Sequence, residues 1–372
     1  MLRLFALMAG CLGLGYVPLG RFAALQVRIP GPGGAGAGAS VACIPATGYS
    51  YCRQLMVSGS QVGGSTLTSF GVLVNTTLGA SRIQNSNCYD VIFTSDSGGT
   101  TKIPWEVEEC TQSSGAIVAW AGLSSLPASS NTNFYVSYDN SSITTAQNTG
   151  SAQACNVWDA SYARVFHLGN GSAMSVNDST CNAGNLANSG LTAGSGQIDG
   201  GAVGNGSSYA SGADTGLPSG STARTIEIWF DISSFSASHS LLQFGTPSVS
   251  HEMQEIAVTS GSIDWYGWSD DFGASHSFSP GVWYYFAGTY NGTSTATIYI
   301  NNSTLGTHTQ SWNTTLNGTL YVGKDTYGGS SALLGAEDEV RISKVQRSTG
   351  YLTAQWNQMQ TGSTFLTVGS EY

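Results

Sequence analysis

From Phe70 to Ile342 the chain is a succession of short β-rich runs, each closed within a few residues by Gly, Ser, Asn or Asp. That rhythm excludes a helical bundle and a doubly wound α/β fold, because neither punctuates its elements this densely. It predicts an all-β chain of antiparallel strands. Glycine contributes 49 of 372 residues and charged residues only 9%, against roughly 25% in an average soluble domain. Strands with polar turns give that composition, whereas helices with Glu/Lys faces do not.

Two series of strands are separable. Phe70–Val74, Tyr89–Ser95, Ile103–Glu108, Ala116–Trp120 and Phe134–Tyr138 have the spacing of a small antiparallel β-sandwich, assigned to residues 41–145. In Ile103–Glu108 the odd positions Ile103, Trp105 and Val107 alternate with polar residues and are expected to face its core. Residues 141–154 have little periodicity and read as a linker. A second series begins at Arg164–Leu168 and runs through Thr225–Phe230, Ser240–Phe244, Glu255–Val258, Ser262–Trp268, Val282–Thr289, Thr295–Ile300 and Thr319–Val322 to Glu339–Ile342. Such a series fits a two-sheet jelly roll over 155–372. Asn301-Asn302 reads as a tight hairpin turn. No long helix is expected; Ser348–Met359 reads as one short turn.

Residues 1–40 form a different region. Met1-Leu2-Arg3 precedes an apolar run from Leu4 to Leu19, as in a secretory leader too short for a comfortable membrane span. The Pro30–Gly38 stretch that follows is a Gly/Pro tether. Beyond this leader no segment is apolar enough to span a bilayer. With Cys11 set aside, six cysteines remain, none in a CxxC pair. Local spacing suggests Cys43–Cys52, Cys88–Cys110 and Cys155–Cys181, the middle pair flanking strands around the turn Ser97-Gly98-Gly99. Three bridges imply an oxidising compartment. The net charge of −10, with lysines only at 102, 324 and 344, leaves no basic patch for nucleic acid.

Several motifs resemble known domains. Tyr89–Asp96, Ile103–Glu108 and Phe134–Tyr138 resemble a bacterial domain of unknown function that precedes concanavalin-A-like domains in surface and exported proteins. Asn156-Val157-Trp158-Asp159, leading to Arg164–Leu168, resembles the junction of those proteins. Downstream, Asn177–Thr180, Gly196–Ala202, Thr225–Phe230, Trp283–Tyr290 and Asp338–Ser343 resemble the laminin-G-like, concanavalin-A-like family. The resemblance implies a small β-sandwich followed by a concanavalin-A-like jelly roll. It also implies core roles for Trp105, Trp158, Trp229 and Trp283. Cys88 and Cys181 stand where that family usually has glycine.

Chemistry is sparse. A retaining glycosidase needs two carboxylates ~5–5.5 Å apart; in Glu337-Asp338-Glu339 strand alternation would put Glu337 and Glu339 on one face without a third partner. Glu227 and Asp231 share a face, but Asp231 falls at a strand end. No Gly-x-Ser-x-Gly elbow sits between strand and helix, and His167 reads as a packed, hydrogen-bonded residue. No catalytic residue is assigned. The binding candidate is Trp265, Tyr266, Trp268, Asp270 and Asp271, where aromatic faces can stack on sugar rings and carboxylates can accept hydroxyl hydrogen bonds. Calcium is the one cofactor considered, with Asp178, Asp270 and Asp271 as ligands, although EF-hand-type spacing is absent. The expected function is non-enzymatic recognition of a cell-surface glycan or protein, at the cell surface or outside the cell. The alternative is a self-associating structural component of a filament, envelope or virion, and a third reading is a glycoside hydrolase.

Overall fold

A computed structural model describes residues 43–170 and 173–372; the expected leader and tether, with Cys11, lie outside the described residues. Every ladder between strands of the described chain is antiparallel. Two sheets form the jelly roll. The first has seven strands in the order Ala187–Ser189, Tyr209–Gly212, Leu320–Val322, His239–Gly245, Met253–Val258, Ser262–Tyr266 and Phe272–Ser275. The second has the order Thr192–Ser195, Gly200–Asn205, Leu334–Ser343, Arg224–Ile232, Tyr284–Tyr290, Thr295–Ile300 and Ser303–Thr309. An eighth strand, Tyr162–Phe166, also pairs with Leu334–Ser343.

Alternation along Arg224–Ile232 shows how the sheets are filled. Ile226, Ile228, Phe230 and Ile232 enter the core between the sheets, beside Phe244, Trp265, Phe286 and Trp312. Trp229 points the other way, into a second core shared with Phe70, Trp120 and Phe134 of the N-terminal sandwich. The strand is therefore buried on both faces, which explains its near-continuous apolar run. The expected hairpin is present. Asn301 and Asn302 have φ of 49° and 64°, and Ile300 pairs with Ser303, the geometry of a two-residue type I′ turn.

The N-terminal sandwich combines the three-stranded sheet Leu67–Thr77, Ala116–Leu126, Trp105–Thr111 with a four-stranded one. The latter contains Tyr51–Val57, Thr132–Tyr138 and Ile92–Thr94, and its remaining strand, Leu366–Glu371, comes from the far end of the chain. A division at residue 155 thus misses one crossing, since the last strand returns to the first sheet. Between Val107 and Glu109 the ladder carries a bulge. The extra residue, Glu108, is buried, so the face expected to be wet meets the jelly roll instead.

The expected short turn at 348–359 is an 11-residue helix, Thr349–Met359, whose Ser348 side chain accepts from the Tyr351 N–H. It packs Tyr351 against Phe70 at 5.1 Å and Trp356 against Trp229 at 5.3 Å. All three disulfides form in the expected pairing. Among the described residues no helix is long and apolar enough to cross a membrane.

Candidate ligand-binding site

On strand Met253–Val258, Ile256 and Val258 enter the core, and Gln254 accepts a hydrogen bond there from Trp265 Nε1 at 2.8 Å. Met253 and Glu255 must then face outward. Directly paired residues in an antiparallel sheet share a face, and the register pairs Ser211 with Tyr321, Tyr321 with Gln243, Gln243 with Glu255, and Glu255 with Tyr266. A polar and aromatic row therefore crosses five strands, spanning about 19 Å at ~4.8 Å per strand.

One end of the row opens into a pocket of about 410 Å³ lined by Met253, Tyr266, Trp268, Ser269, Asp271 and Tyr327. Trp268 and Ser269 lie in a turn at φ of 60° and 64°, which lifts the indole out of the sheet. Its ring meets Tyr327 edge-to-face at 4.8 Å. Behind them Tyr327 Oη donates to Glu255 Oε2. Burial, reinforced by Asp325, raises the Glu255 carboxyl to about 7 against the hydrogen bond from Tyr327. Burial, then Asp264, Glu255 and Asp271, raise Tyr266 to about 12, so its hydroxyl stays a donor at neutral pH. With Ser330 also in its lining, the pocket offers three aromatic rings, a phenolic donor, two serines and an exposed carboxylate.

Of the expected binding residues, Tyr266, Trp268 and Asp271 line this pocket. Trp265 does not. Strand alternation sends it inward, where it is 0% exposed and packs on Trp312 at 4.5 Å. Asp270 is also turned away; its carboxylate accepts from Ser311 N at 2.6 Å and meets His251 Nδ1 at 3.1 Å. The calcium set is not assembled. The buried Asp178 carboxylate is occupied by the N–H groups of Val165, Thr180 and Gly184 and by the Thr180 hydroxyl, within its own loop. Sequence reading missed Glu255 and Tyr327. Alternation in Met253–Val258 signals the first; the second lies in a Gly/Ser-rich loop without periodicity.

The acidic run Glu337-Asp338-Glu339 also departs from expectation. The register jumps from Trp229–Asp338 to Glu227–Arg341, and Glu339 sits at φ 53°. This bulge breaks the alternation. Glu337 pairs opposite Phe230, on the jelly-roll core side, so it does not share a face with Glu339. Glu339 instead meets His167 Nδ1 at 2.6 Å and Arg341 through Nε at 3.0 Å. His167 also lies 3.5 Å from both Glu106 and Glu108 and packs against the rings of Trp120 and Trp158, with centroids 5.7 and 5.5 Å away. Burial alone would lower its pKa, but Glu108, Glu339 and Glu106 outweigh burial and hold it well above the ordinary imidazole range.

Among the described residues, Glu108, His167 and Glu339 are the one group of His, Cys and acidic side chains close enough to hold a metal ion. Their bonding is already explained by an imidazolium, and a cation there would sit against the Arg341 guanidinium. The cluster joins the sandwich to the jelly roll and does not open as a carboxylate groove.

Two antiparallel sheets closed over one core, with an aromatic pocket on an outer face, define a concanavalin-A-like jelly roll. Residues 199–350 match the family model Laminin_G_3, described as the concanavalin A-like lectin/glucanases superfamily. The chain matches no curated protein sequence. Among solved structures it is similar to domain 4 of AbnA, a GH43 extracellular arabinanase from Geobacillus stearothermophilus, in complex with arabinotriose. That match has 19% identity over 53% of this chain and 98% of the other, with a TM-score of 0.42. It is also similar to the binding domain of Paraclostridial Mosquitocidal Protein 1, at 12% identity over 53% of this chain and 52% of the other, TM-score 0.43. A third is the receptor binding domain of botulinum neurotoxin C/D mosaic serotype, at 12% identity over 53% and 51%, TM-score 0.41. The chain spans about half the length of these two toxin domains.

Proposed function

We propose that this chain is an extracellular or surface-displayed recognition protein that binds a glycan along the outer face of the seven-stranded sheet. The observation that carries the reading is the convergence of Tyr266, Trp268 and Tyr327 on one pocket beside an exposed carboxylate. Indole and phenol faces stack on the apolar faces of sugar rings, while hydroxyls and carboxylates take their hydroxyl groups. Asp271 and the acidic net charge disfavour anionic sugars. Three disulfides support an oxidising compartment.

A glycan array of the full chain, with calcium and with EDTA, tests the proposal. We expect neutral-glycan hits that Trp268→Ala weakens by about 30-fold or more, the scale of an aromatic hot spot. EDTA should leave them unchanged, since the candidate calcium ligands are dispersed. Fragments released from a bound glycan would move the reading to a hydrolase. A blank array with self-association in sedimentation would move it to a structural component.

A further inference from the structure

We infer that the opposite, eight-stranded sheet carries a second groove for an uncharged sugar chain, separate from the Trp268 pocket. The groove encloses about 450 Å³ and is lined chiefly by Gln197, Trp229, Trp283, Trp356, Gln360 and Thr361. That volume is within the range of roughly 300–1,000 Å³ typical of ligand sites.

Its three tryptophans differ in surroundings. Trp229 and Trp356 stack at 5.3 Å with planes 17° apart, and Tyr285 packs on both, so the floor is fixed. Trp283 is half-buried, next to Val282, which is 42% exposed. Trp283 has no aromatic partner among the described residues, leaving an indole available for stacking.

The polar groups point to a ligand independently of the rings. Trp229 is only 2% exposed, yet its Nε1 donor has no acceptor. A buried N–H without a partner costs about 1–3 kcal/mol, so a native groove that leaves one in its wall suits a ligand bringing oxygen atoms. Neither Trp283 Nε1 nor the Gln360 side-chain amide is hydrogen-bonded within the described chain, although the Gln360 backbone N–H donates to Trp356 O. Gln197, by contrast, is held in place by donating to Met359 O at 2.9 Å.

No charged side chain lines the groove, which disfavours phosphate, sialic acid or a basic peptide. A lipid tail would leave the amides and the Thr361 hydroxyl unmatched. Stacking surfaces interleaved with amide and hydroxyl groups fit a neutral saccharide. The two sites lie on the outer faces of opposite sheets, with the jelly-roll core between them. One short oligosaccharide therefore cannot fill both, whereas a long chain or two neighbouring chains can, and their binding gains from linkage.

The test uses full-length protein on a printed array of neutral glucan, arabinan, xylan and chitin fragments. Wild type is compared with Trp268→Ala, Trp283→Ala and Gln360→Ala, each checked by thermal melting. Hits that survive Trp268→Ala, fall about 30-fold with Trp283→Ala and fall about 5-fold with Gln360→Ala support the second groove. Should Trp283→Ala fail to fold, Gln360→Ala decides. If neither groove variant changes any hit while Trp268→Ala removes them all, the second groove is overturned and the pocket stands. Loss in the groove variants alone keeps the groove and overturns the pocket. A blank wild-type array overturns both.

Discussion

Replacing Arg341 by methionine is expected to cost about 3–5 kcal/mol of stability, the scale for removing one partner of a buried ion pair. Arg341 is 0% exposed. Its guanidinium binds Glu339 through Nε and Nη2, reaches Gln355 Oε1 at 2.8 Å, and lies 4.6 Å over the Trp120 ring. Methionine fills much of the same volume, so the loss should come from the charge. Glu339, also buried, would keep only His167 as a cationic partner. Urea unfolding of wild type and Arg341→Met measures the difference, and Arg341→Met/Glu339→Gln should recover part of it by removing the stranded carboxylate. A cost below about 1 kcal/mol, the scale of an exposed pair, would show that the cluster does not hold the two β layers together.

The same cluster sets a pH dependence. His167 titrates above its unfolded value because the carboxylates around it outweigh burial. Its contribution is therefore fully present below the unfolded imidazole value near ~6.5 and is lost as pH rises through the raised folded value. Burial raises Asp338, with help from neighbouring carboxylates, and raises Glu337 by itself. These groups hold protons in the folded state that the unfolded chain has already released, so they too lose stability with rising pH. Glu255, raised to about 7, adds to this between its unfolded value and neutrality. Glu339 acts oppositely. His167 and Arg341 overcome burial and hold it low, so its contribution disappears under more acidic conditions. We expect a higher melting temperature at pH 5 than at pH 8, with the difference reduced in His167→Gln. A melting temperature that rises from pH 5 to pH 8 would contradict the protonation pattern.

The fold was legible because turn chemistry and strand period are local properties. Asn301-Asn302 specifies its turn wherever it lies. Cys88 and Cys110 pair as expected, although the strands they flank, Ile92–Thr94 and Trp105–Thr111, lie in different sheets. What escaped was non-local. Alternation correctly separates Trp265 from Tyr266 as inward and outward, but says nothing about which side the ligand takes. Trp268 follows Gly267 out of the strand, where the alternation no longer applies. The bulge at Glu339 rotates the acidic run by one position, and no residue there announces it. The helix Thr349–Met359 was hidden because its buried face includes Gln355 and Gln358. They satisfy groups of other strands: Leu73 N donates to Gln358 Oε1 at 2.9 Å and Gln358 Nε2 to Gly71 O at 3.1 Å. A buried face that carries amides does not read as an apolar stripe. Glu255 was half-legible; its direction follows from alternation, but the tyrosine above it comes from a loop 72 residues away.

Breaking the Cys155–Cys181 bridge is expected to cost about 3 kcal/mol, from the entropy of a loop of this length in the unfolded chain. The enclosed segment, 26 residues in separation, supplies much of the junction between sandwich and jelly roll. It contains Trp158, whose Nε1 donates to Glu106 at 2.9 Å; Tyr162, bonded to Tyr351 across 2.7 Å; and His167. Without the bridge, a freer unfolded segment must be ordered to place these three groups. The bridges also differ in access. Cys43 and Cys52 are both buried, whereas Cys181 is exposed and Cys155 partly so, so thiolate attack should reach Cys155–Cys181 first. Brief treatment with a mild reductant, alkylation and mass mapping should label Cys155 and Cys181 before Cys43 and Cys52. The Cys155→Ser/Cys181→Ser variant should show the stability loss without any reductant. If the variant melts at the wild-type temperature, the Glu106–His167–Glu339–Arg341 cluster and its flanking tryptophans order the segment by themselves. In that case Arg341→Met should fall hardest on the variant that lacks the bridge.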